Sequence, residues 1–200
     1  MIRTHSVSRI NLPTLAIEVQ IHEEAIDFIK GIKGEISVVS IAGMYRCGKS
    51  YILNHLIEQP DGFQVGHKIN AATQGLWIWN KSRVVKRKDG SSINVLFIDT
   101  EGLGDYKKKP ENDLKIFMLA ILVSSHTIFN VDKKIDSTAI DQLGLVVEMA
   151  KRIKLSDEEK PNKLDIVNAR AFQSFFPSLT ILIRDAYLEL EDDEGKAITQ

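Results

Sequence analysis

Residues Gly43-Met44-Tyr45-Arg46-Cys47-Gly48-Lys49-Ser50 match the phosphate-loop pattern Gly-x-x-x-x-Gly-Lys-[Ser/Thr] at every fixed position. An apolar run at 36–42 precedes the stretch and predicts a buried strand, and a helix-compatible run at 51–57 follows it. A loop in this setting presents consecutive backbone N–H groups to phosphate oxygens, and the start of the helix adds partial positive charge. The stretch therefore predicts a nucleoside triphosphate site, and a plain glycine turn is the alternative that the motif alone leaves open.

Length and composition indicate one soluble domain. A chain of 200 residues with 44% hydrophobic and 26% charged residues has ordinary globular proportions. The formal net charge of -1 gives no electrostatic reason to expect a nucleic acid partner. A single cysteine excludes an internal disulfide and fits a cytoplasmic location. No apolar run approaches the ~18 residues of a transmembrane segment, so peripheral contact is the one kind of membrane association left open.

Strand and helix patterns alternate along the chain, which predicts an α/β fold with a largely parallel sheet. A long loop, expected to be functional because of its length, covers 60–75. The predicted strands are 15–21, 36–42, 76–79, 83–88, 93–98, 127–131 and 179–183, the last of them buried. The predicted helices are 23–30, 51–57, 112–123, 137–153 and 162–175.

Candidate metal ligands surround the predicted phosphate site. Ser50 closes the loop and offers a hydroxyl to Mg²⁺, and Asp99 stands at the tip of the buried-strand pattern 95–98. Thr73, in the long loop, is a candidate for a second hydroxyl ligand. Gly102 is expected to bring its N–H against the terminal phosphate. Taken alone, residues 99–102 also fit a simple turn at a strand end.

Five stretches together resemble the large GTPase domain of guanylate-binding proteins, in the dynamin-related superfamily, with atlastins as more distant relatives. The resemblance runs in order from about residue 12 to the end of the chain, through GMYRCGKSY (43–51), TQGLWIW (73–79), DTEGLGD (99–105), DQL (141–143) and RD (184–185). It implies a three-layer phosphate-loop GTPase domain over residues 1–200, with a mostly parallel central sheet flanked by helices. It also implies Mg²⁺-dependent hydrolysis of GTP to GDP, and in some members on to GMP. A nucleotide-dependent homodimer or association with related large GTPases, and a role in immunity, rest on the same resemblance.

Individual residue roles follow from this resemblance. Arg46 looks like the internal arginine finger of the family, which moves onto the phosphates upon dimerisation. Glu101 looks like the switch carboxylate linked to the attacking water, so the implied catalytic set is Arg46, Lys49, Thr73 and Glu101. The implied nucleotide contacts are Gly43, Tyr45, Arg46, Cys47, Gly48, Lys49, Ser50, Tyr51, Asp99, Gly102, Arg184 and Asp185.

One departure from the family pattern bears on catalysis. At positions 71–73 the family typically has Ser-His-Thr, whereas this chain has Ala71-Ala72-Thr73. The family serine takes part in activating the water, and the methyl group of Ala71 cannot replace its hydroxyl. We therefore expect slower hydrolysis with nucleotide binding preserved. At Cys47, in place of the more usual threonine, we expect a small loop filler.

Two stretches compete for the role of guanine reader. Residues 162–165 spell Asn-Lys-Leu-Asp, the motif of small GTPases, but they follow a charged stretch rather than a buried strand. Arg184-Asp185 follow the strand pattern 179–183, and the family carries this Arg-Asp pair instead of the longer motif. Asp185 is therefore the predicted base reader, and Asp165 is rejected.

In the family, the domain continues through a segment that covers the guanine and into an elongated helical region. This chain ends at Gln200, so we expect both to be missing and dimer activation to be weakened. The competing hypothesis is a nucleotide-dependent interaction module that binds GTP and a full-length relative with little turnover. An atlastin-like membrane remodeller would need membrane segments, and an adenine nucleotide kinase would need a phosphate-acceptor lid, which the sequence does not indicate.

Overall fold

The computed structural model of the chain describes residues 2–3, 21–65, 75–104, 110–144 and 176–186. The strands in this part are β1 Ile2–Arg3, β2 Ile36–Gly43, β3 Leu76–Ile78, β4 Arg83–Lys86, β5 Ser92–Thr100, β6 His126–Asp132 and β7 Ser178–Arg184. The helices are α1 Glu23–Gly31, α2 Lys49–Leu56, α3 Pro110–Leu122 and a fourth, α4, whose described residues are 137–144.

The strands form one sheet with the order β1-β3-β5-β2-β6-β7, and β4 pairs with the first half of β5. Strands β5, β2, β6 and β7 are parallel to one another, whereas β1, β3 and β4 pair antiparallel. A short hairpin turn joins β4 to β5, and α3 lies in the crossover between the parallel strands β5 and β6. The predicted α/β fold with a mostly parallel central sheet is confirmed.

Both faces of the sheet are covered, which gives three layers. Ile41 and Ala42 are adjacent on β2 and point to opposite faces because side chains alternate along a strand. The Ile41 face packs against α2 in a cluster of Ile41, Leu53, Phe63 and Phe97. The Ala42 face packs against α3 and α4 in a cluster of Ala42, Leu103, Phe117, Ile121, Phe129, Val131 and Ala139.

Most predicted elements lie where the sequence patterns put them. Helix α2 begins at Lys49, two residues before the predicted start, because Gly48 adopts a left-handed conformation (φ 86°) and begins the first turn directly. The hairpin of β4 and β5 turns at 87–91, where Asp89 accepts hydrogen bonds from the N–H and hydroxyl of Ser91. These bonds lower the pKa of Asp89.

Trp77 and Trp79 pack partly buried against the Ile41 cluster, as expected for core residues.

Several predicted elements fall outside the described residues. They are the strand at 15–20, the loop portion 66–74, the second part of the helix at 145–153 and the helix at 162–175.

One prediction about burial is wrong. Strand β7 lies at the predicted position, yet its side chains are exposed rather than buried. Leu179, Ile181 and Ile183 are each at least 40% exposed. The physical reason is position: among the described strands, β7 is the last in the order and pairs with β6 alone. Apolar composition indicated a buried strand, but it does not specify how many neighbours a strand has.

Candidate phosphate-binding site

Four parallel strands end at one edge of the sheet, and the predicted site residues follow three of them. The phosphate loop 43–48 follows β2, residues 101–104 follow β5, and Asp185 follows β7. In an open parallel sheet, ligands bind outside the carboxyl ends of the strands. The fold therefore brings sequence-distant candidates to one place.

The loop backbone is packed so closely that two positions require glycine. Gly43 (φ 151°) would direct a Cβ into the carbonyl of Asn130 on the neighbouring strand. Gly48 (φ 86°) would direct one into the guanidinium of Arg184. Both residues also adopt positive φ values that side chains rarely tolerate. The loop is thus fixed against β6 on one side and the end of β7 on the other.

Lys49 supplies a buried positive charge at the start of α2. Its side chain is 6% exposed, and Nζ donates to the carbonyl of Met44 at 3.0 Å. Among the residues that the structure describes, no carboxylate forms an ion pair with this ammonium. A buried charge without an opposite charge is costly, and the helix N-terminus adds further positive potential. The arrangement suits an anion.

Ser50 and Asp99 meet directly. The hydroxyl of Ser50 donates to Oδ2 of Asp99 at 2.6 Å, although 49 residues separate them. Asp99 lies at the end of β5, is 1% exposed, and pairs in register with Ile41 of β2. A hydroxyl beside a buried carboxylate provides the oxygen donors that Mg²⁺ prefers. The donor set therefore fits the cation expected from the sequence.

Glu101 connects the segment after β5 to the residue that precedes β3. Its N–H donates to the carbonyl of Gly75 at 2.9 Å, and its Oε2 accepts from the N–H of Gly75 at 2.8 Å. Gly75 stands two positions after Thr73. This reciprocal pair, which we call the Gly75–Glu101 clasp, joins two segments that the sequence associates with the terminal phosphate.

Gly102 and Leu103 lie against the phosphate loop itself. A Cβ on Gly102 would stand 3.1 Å from Nζ of Lys49, so this glycine borders the buried ammonium. Leu103 donates to the carbonyl of Gly43 at 3.1 Å and accepts from the N–H of Tyr45 at 2.7 Å. The segment after β5 is therefore hydrogen-bonded to the loop through both backbone groups of Leu103.

Arg46 lies at the loop surface in an unusual conformation. It is exposed, has a positive φ of 61°, and its guanidinium carbon stands 5.5 Å from the centroid of the Tyr45 ring. Such a contact is a cation–π interaction at an exposed site.

Cys47 is buried with a free thiol, as expected for a loop filler. Tyr51 is 52% exposed on α2 and stacks edge-on against His55.

The predicted base reader lies at the exposed end of β7. Asp185 has a positive φ of 54°, and its Oδ2 accepts from Nε of Arg184 at 3.0 Å. Arg184 in turn lies over Gly48, so this pair contacts the phosphate loop. Ala71, Thr73 and Asp165 lie outside the described residues.

Asn130 is a site residue that sequence reasoning missed. Its side chain is fully buried, and Nδ2 donates to the carbonyl of Cys47 in the loop at 2.7 Å. The available signal was a polar residue inside the apolar strand pattern 127–131. A cavity of about 340 Å³ adjoins Asn130 on the α4 side of the loop, with Arg46, Asp132, Lys134 and Asp136 in its wall.

Comparison with known proteins places this geometry in a family. The profile of the guanylate-binding protein N-terminal domain matches residues 16–200. Guanylate-binding protein 7 of Mus musculus is 37% identical over 91% of this chain and 28% of its own length. Guanylate-binding protein 2 of Homo sapiens is 39% identical over 90% of this chain and 29% of its own length. The chain thus spans less than a third of the relatives that it matches.

Among solved structures, an Era variant of Aquifex aeolicus bound to GDP and AlF4⁻ aligns with a TM-score of 0.46 and 15% identity. The alignment covers 75% of this chain and 52% of that chain, and it is too distant to bear on the site. No helix in the described part of the chain has the length and apolar character needed to cross a membrane.

Proposed function

The chain belongs to the guanylate-binding protein family, and from this membership and the loop geometry we propose that it binds GTP and hydrolyses it to GDP. Lys49 is the observation that carries the proposal. It is a buried ammonium without a carboxylate partner among the described residues, at the start of a helix whose first N–H groups have no intrahelical partner. A polyphosphate supplies both the charge and the acceptor oxygens that this position lacks.

The residues that hold the metal in this proposal are Ser50 and Asp99, with Thr73 as a further hydroxyl ligand. The fit of Ser50 and Asp99 is supported by their 2.6 Å contact at the mouth of the loop. When bound, Mg²⁺ neutralises charge that develops on the phosphate oxygens. The chain's own part is to hold the hydroxyl and carboxylate oxygens in place before the nucleotide arrives.

Hydrolysis needs charge stabilisation and a positioned water in addition to binding. Arg46 is the proposed source of the charge stabilisation, because its guanidinium is exposed and, among the described residues, contacts the ring of Tyr45. Glu101 is proposed to orient the water, directly or through Thr73. The Gly75–Glu101 clasp supports this role because it ties the Glu101 carboxylate to the loop that contains Thr73.

Guanine recognition is proposed for Asp185. A carboxylate accepts from the ring N–H and the exocyclic amine of guanine, and adenine offers no such pair of donors. The contact of Arg184 with Gly48 supports this assignment. Asp185 is the next residue after Arg184, so its backbone lies close to the phosphate loop.

A second candidate function is a nucleotide-dependent interaction module that binds GTP and a larger relative with little turnover. The observation that favours it is Ala71, which has no hydroxyl where the family has one. Under this proposal the cradle and the metal ligands are used for binding alone. Homodimerisation, GMP formation and a role in immunity are further proposals that rest on the family alone.

A nucleotide titration followed by a turnover assay tests these proposals. We expect fluorescent GTP to bind the purified chain more tightly than fluorescent ATP, in the presence of Mg²⁺. Phosphate release should then be followed at several protein concentrations. Release per molecule that rises with concentration supports dimer activation, tight binding without multiple turnover supports the module, and absence of GTP binding rejects both.

Replacing Arg46 by alanine separates binding from catalysis. An arginine finger contributes about 10³-fold or more to the rate, so we expect Arg46→Ala to lower phosphate release by up to that factor. GTP affinity should change by less than about threefold, because the exposed side chain contacts Tyr45 rather than the loop interior. Lys134→Ala, which removes another exposed cation near the loop, is the matched control. Equal turnover in Arg46→Ala and the parent would remove Arg46 from the mechanism.

A further inference from the structure

We propose that Asn130 is a positioning residue of the phosphate loop, one that turns the Cys47 carbonyl away from the nucleotide and so directs loop N–H groups toward it. This inference rests on the proposed function and adds to it a residue that lies outside the motifs of the sequence.

A phosphate loop has a hydrogen-bonding problem on the side that faces the protein. Where its N–H groups point at phosphate, its carbonyl groups point inward, and each buried carbonyl needs a donor. Lys49 satisfies the carbonyl of Met44 at 3.0 Å. Asn130 satisfies the carbonyl of Cys47 at 2.7 Å. The loop conformation thus depends on a donor from β6, a strand that contributes no residue to the phosphate-loop motif.

The side chain of Asn130 serves the loop rather than the sheet. It is fully buried, Oδ1 has no hydrogen-bond partner in the described part of the chain, and Nδ2 bonds to the loop. Burying an amide with half its hydrogen bonds unmade is unfavourable. A strand that needed only packing would have an apolar residue at this position.

Asn54 shows what a structural asparagine looks like in the same molecule. It is also buried, but Nδ2 donates to the carbonyls of Pro60 and Phe63, and Oδ1 accepts from the N–H of Phe63. Asn54 therefore uses both ends of its amide to hold the turn after α2. Asn130 uses one end, and that end reaches the loop.

The backbone of Asn130 constrains the loop a second time. Asn130 pairs with Gly43 in the parallel register of β2 and β6, and its carbonyl fills the space that a Cβ on Gly43 would need. The first glycine of the loop and the carbonyl before the second glycine are therefore both set by one residue of β6. This double contact makes Asn130 a support for the whole loop.

Substitution by aspartate tests the donor role because protonation restores it. At about pH 8 the carboxylate of Asn130→Asp cannot donate to Cys47, and we expect GTP affinity to fall roughly tenfold to a hundredfold. At about pH 5.5 a buried carboxyl is largely protonated and donates again, so affinity should return to within about threefold of the parent. Both proteins are measured at each pH, which cancels titration of GTP and of the charged groups Arg46, Asp132, Lys134 and Asp136 around the cavity.

Two further variants keep the test decisive. Thr127, on the same strand as Asn130, shares a buried hydrogen bond with Ser40 of β2 and makes no hydrogen bond to the loop among the described residues, so Thr127→Val should lower the melting temperature with GTP affinity unchanged. Asn130→Ala, which carries no charge, replaces the aspartate variant should that protein unfold below the assay temperature, and it should bind GTP roughly tenfold more weakly or worse.

The outcomes distinguish this inference from the function on which it rests. Parent-like GTP affinity in both Asn130 variants, an aspartate defect equal at both pH values, or an equal loss in Thr127→Val overturns the positioning role. A parent chain that does not bind GTP overturns the proposed function and the inference with it. Recovery at low pH in Asn130→Asp supports the inference when the uncharged Asn130→Ala also binds GTP more weakly, because the alanine loss cannot come from repulsion between a carboxylate and the phosphates.

Discussion

The two ends of the proposed nucleotide site differ in how they are built. On the phosphate side, Lys49, Asp99 and Glu101 are all less than a tenth exposed and lie where β2 and β5 end. On the base side, Asp185 follows the last strand of the sheet order and is exposed. The phosphate side is organised by buried hydrogen bonds, whereas the described part of the base side has an ion pair between the half-buried Arg184 and the exposed Asp185.

This difference suggests a division of labour. A cradle whose groups are already in place loses little conformational freedom when the phosphates bind, so more of the interaction energy appears as affinity. An exposed carboxylate is screened by water and contributes less affinity, but it still rejects a base that presents the wrong hydrogen-bonding edge. We therefore expect phosphate contacts to dominate affinity and Asp185 to dominate selectivity.

The largest loss of GTP affinity should come from Lys49→Ala. Removing the buried ammonium takes away a full charge and a charge-assisted hydrogen bond, and GTP affinity should fall by about a hundredfold or more. Equilibrium titration with fluorescent GTP measures the change. Lys134→Ala, at an exposed position beside the loop, is the control for general positive charge. If Lys49→Ala retained the parent's affinity, the proposed phosphate site would be wrong.

A smaller effect, with a change of preference, should follow from Asp185→Asn. The amide presents a donor where the carboxylate accepted, so GTP affinity should fall by about tenfold, while affinity for xanthosine triphosphate should rise. Competition between the two nucleotides measures the preference. Asp165→Asn should change neither affinity. A switch of preference in Asp165→Asn instead would return the base-reading role to residues 162–165.

The smallest effect is on the free energy of unfolding, and it compares strand β2 of the phosphate side with strand β7 of the base side. Ile41 on β2 is 0% exposed and Ile181 on β7 is 41% exposed. Ile41→Val should lower the free energy of unfolding by about 1 kcal/mol, and Ile181→Val should change it by less than about 0.5 kcal/mol. Urea denaturation of both variants measures the difference. Equal losses would mean that β7 is packed as tightly as β2 and that the contrast between the two sides is wrong.

Local patterns predicted the strand, the loop position and the helix of the phosphate side because their determinants are short-range. The glycines, Lys49 and Ser50 lie within eight residues, and the apolar runs on either side specify the strand and helix that position them. The Ser50–Asp99 contact followed from a general rule, since parallel strands end at a common edge.

Two features depended on information that no local pattern contains. The exposure of β7 follows from its place in the strand order, and an apolar run does not indicate how many strands lie beside it. The role of Asn130 follows from the register that pairs it with Gly43. A polar residue in a strand pattern indicates a special position, but only the neighbouring strand identifies which carbonyl it bonds.

The Gly75–Glu101 clasp has a practical consequence for experiments. Both tryptophans of the chain, Trp77 and Trp79, follow Gly75 within four residues. Any rearrangement of the clasp upon nucleotide binding would alter the surroundings of these indoles. Intrinsic emission would then follow that rearrangement in real time in unlabelled protein, so the chain contains its own optical probe.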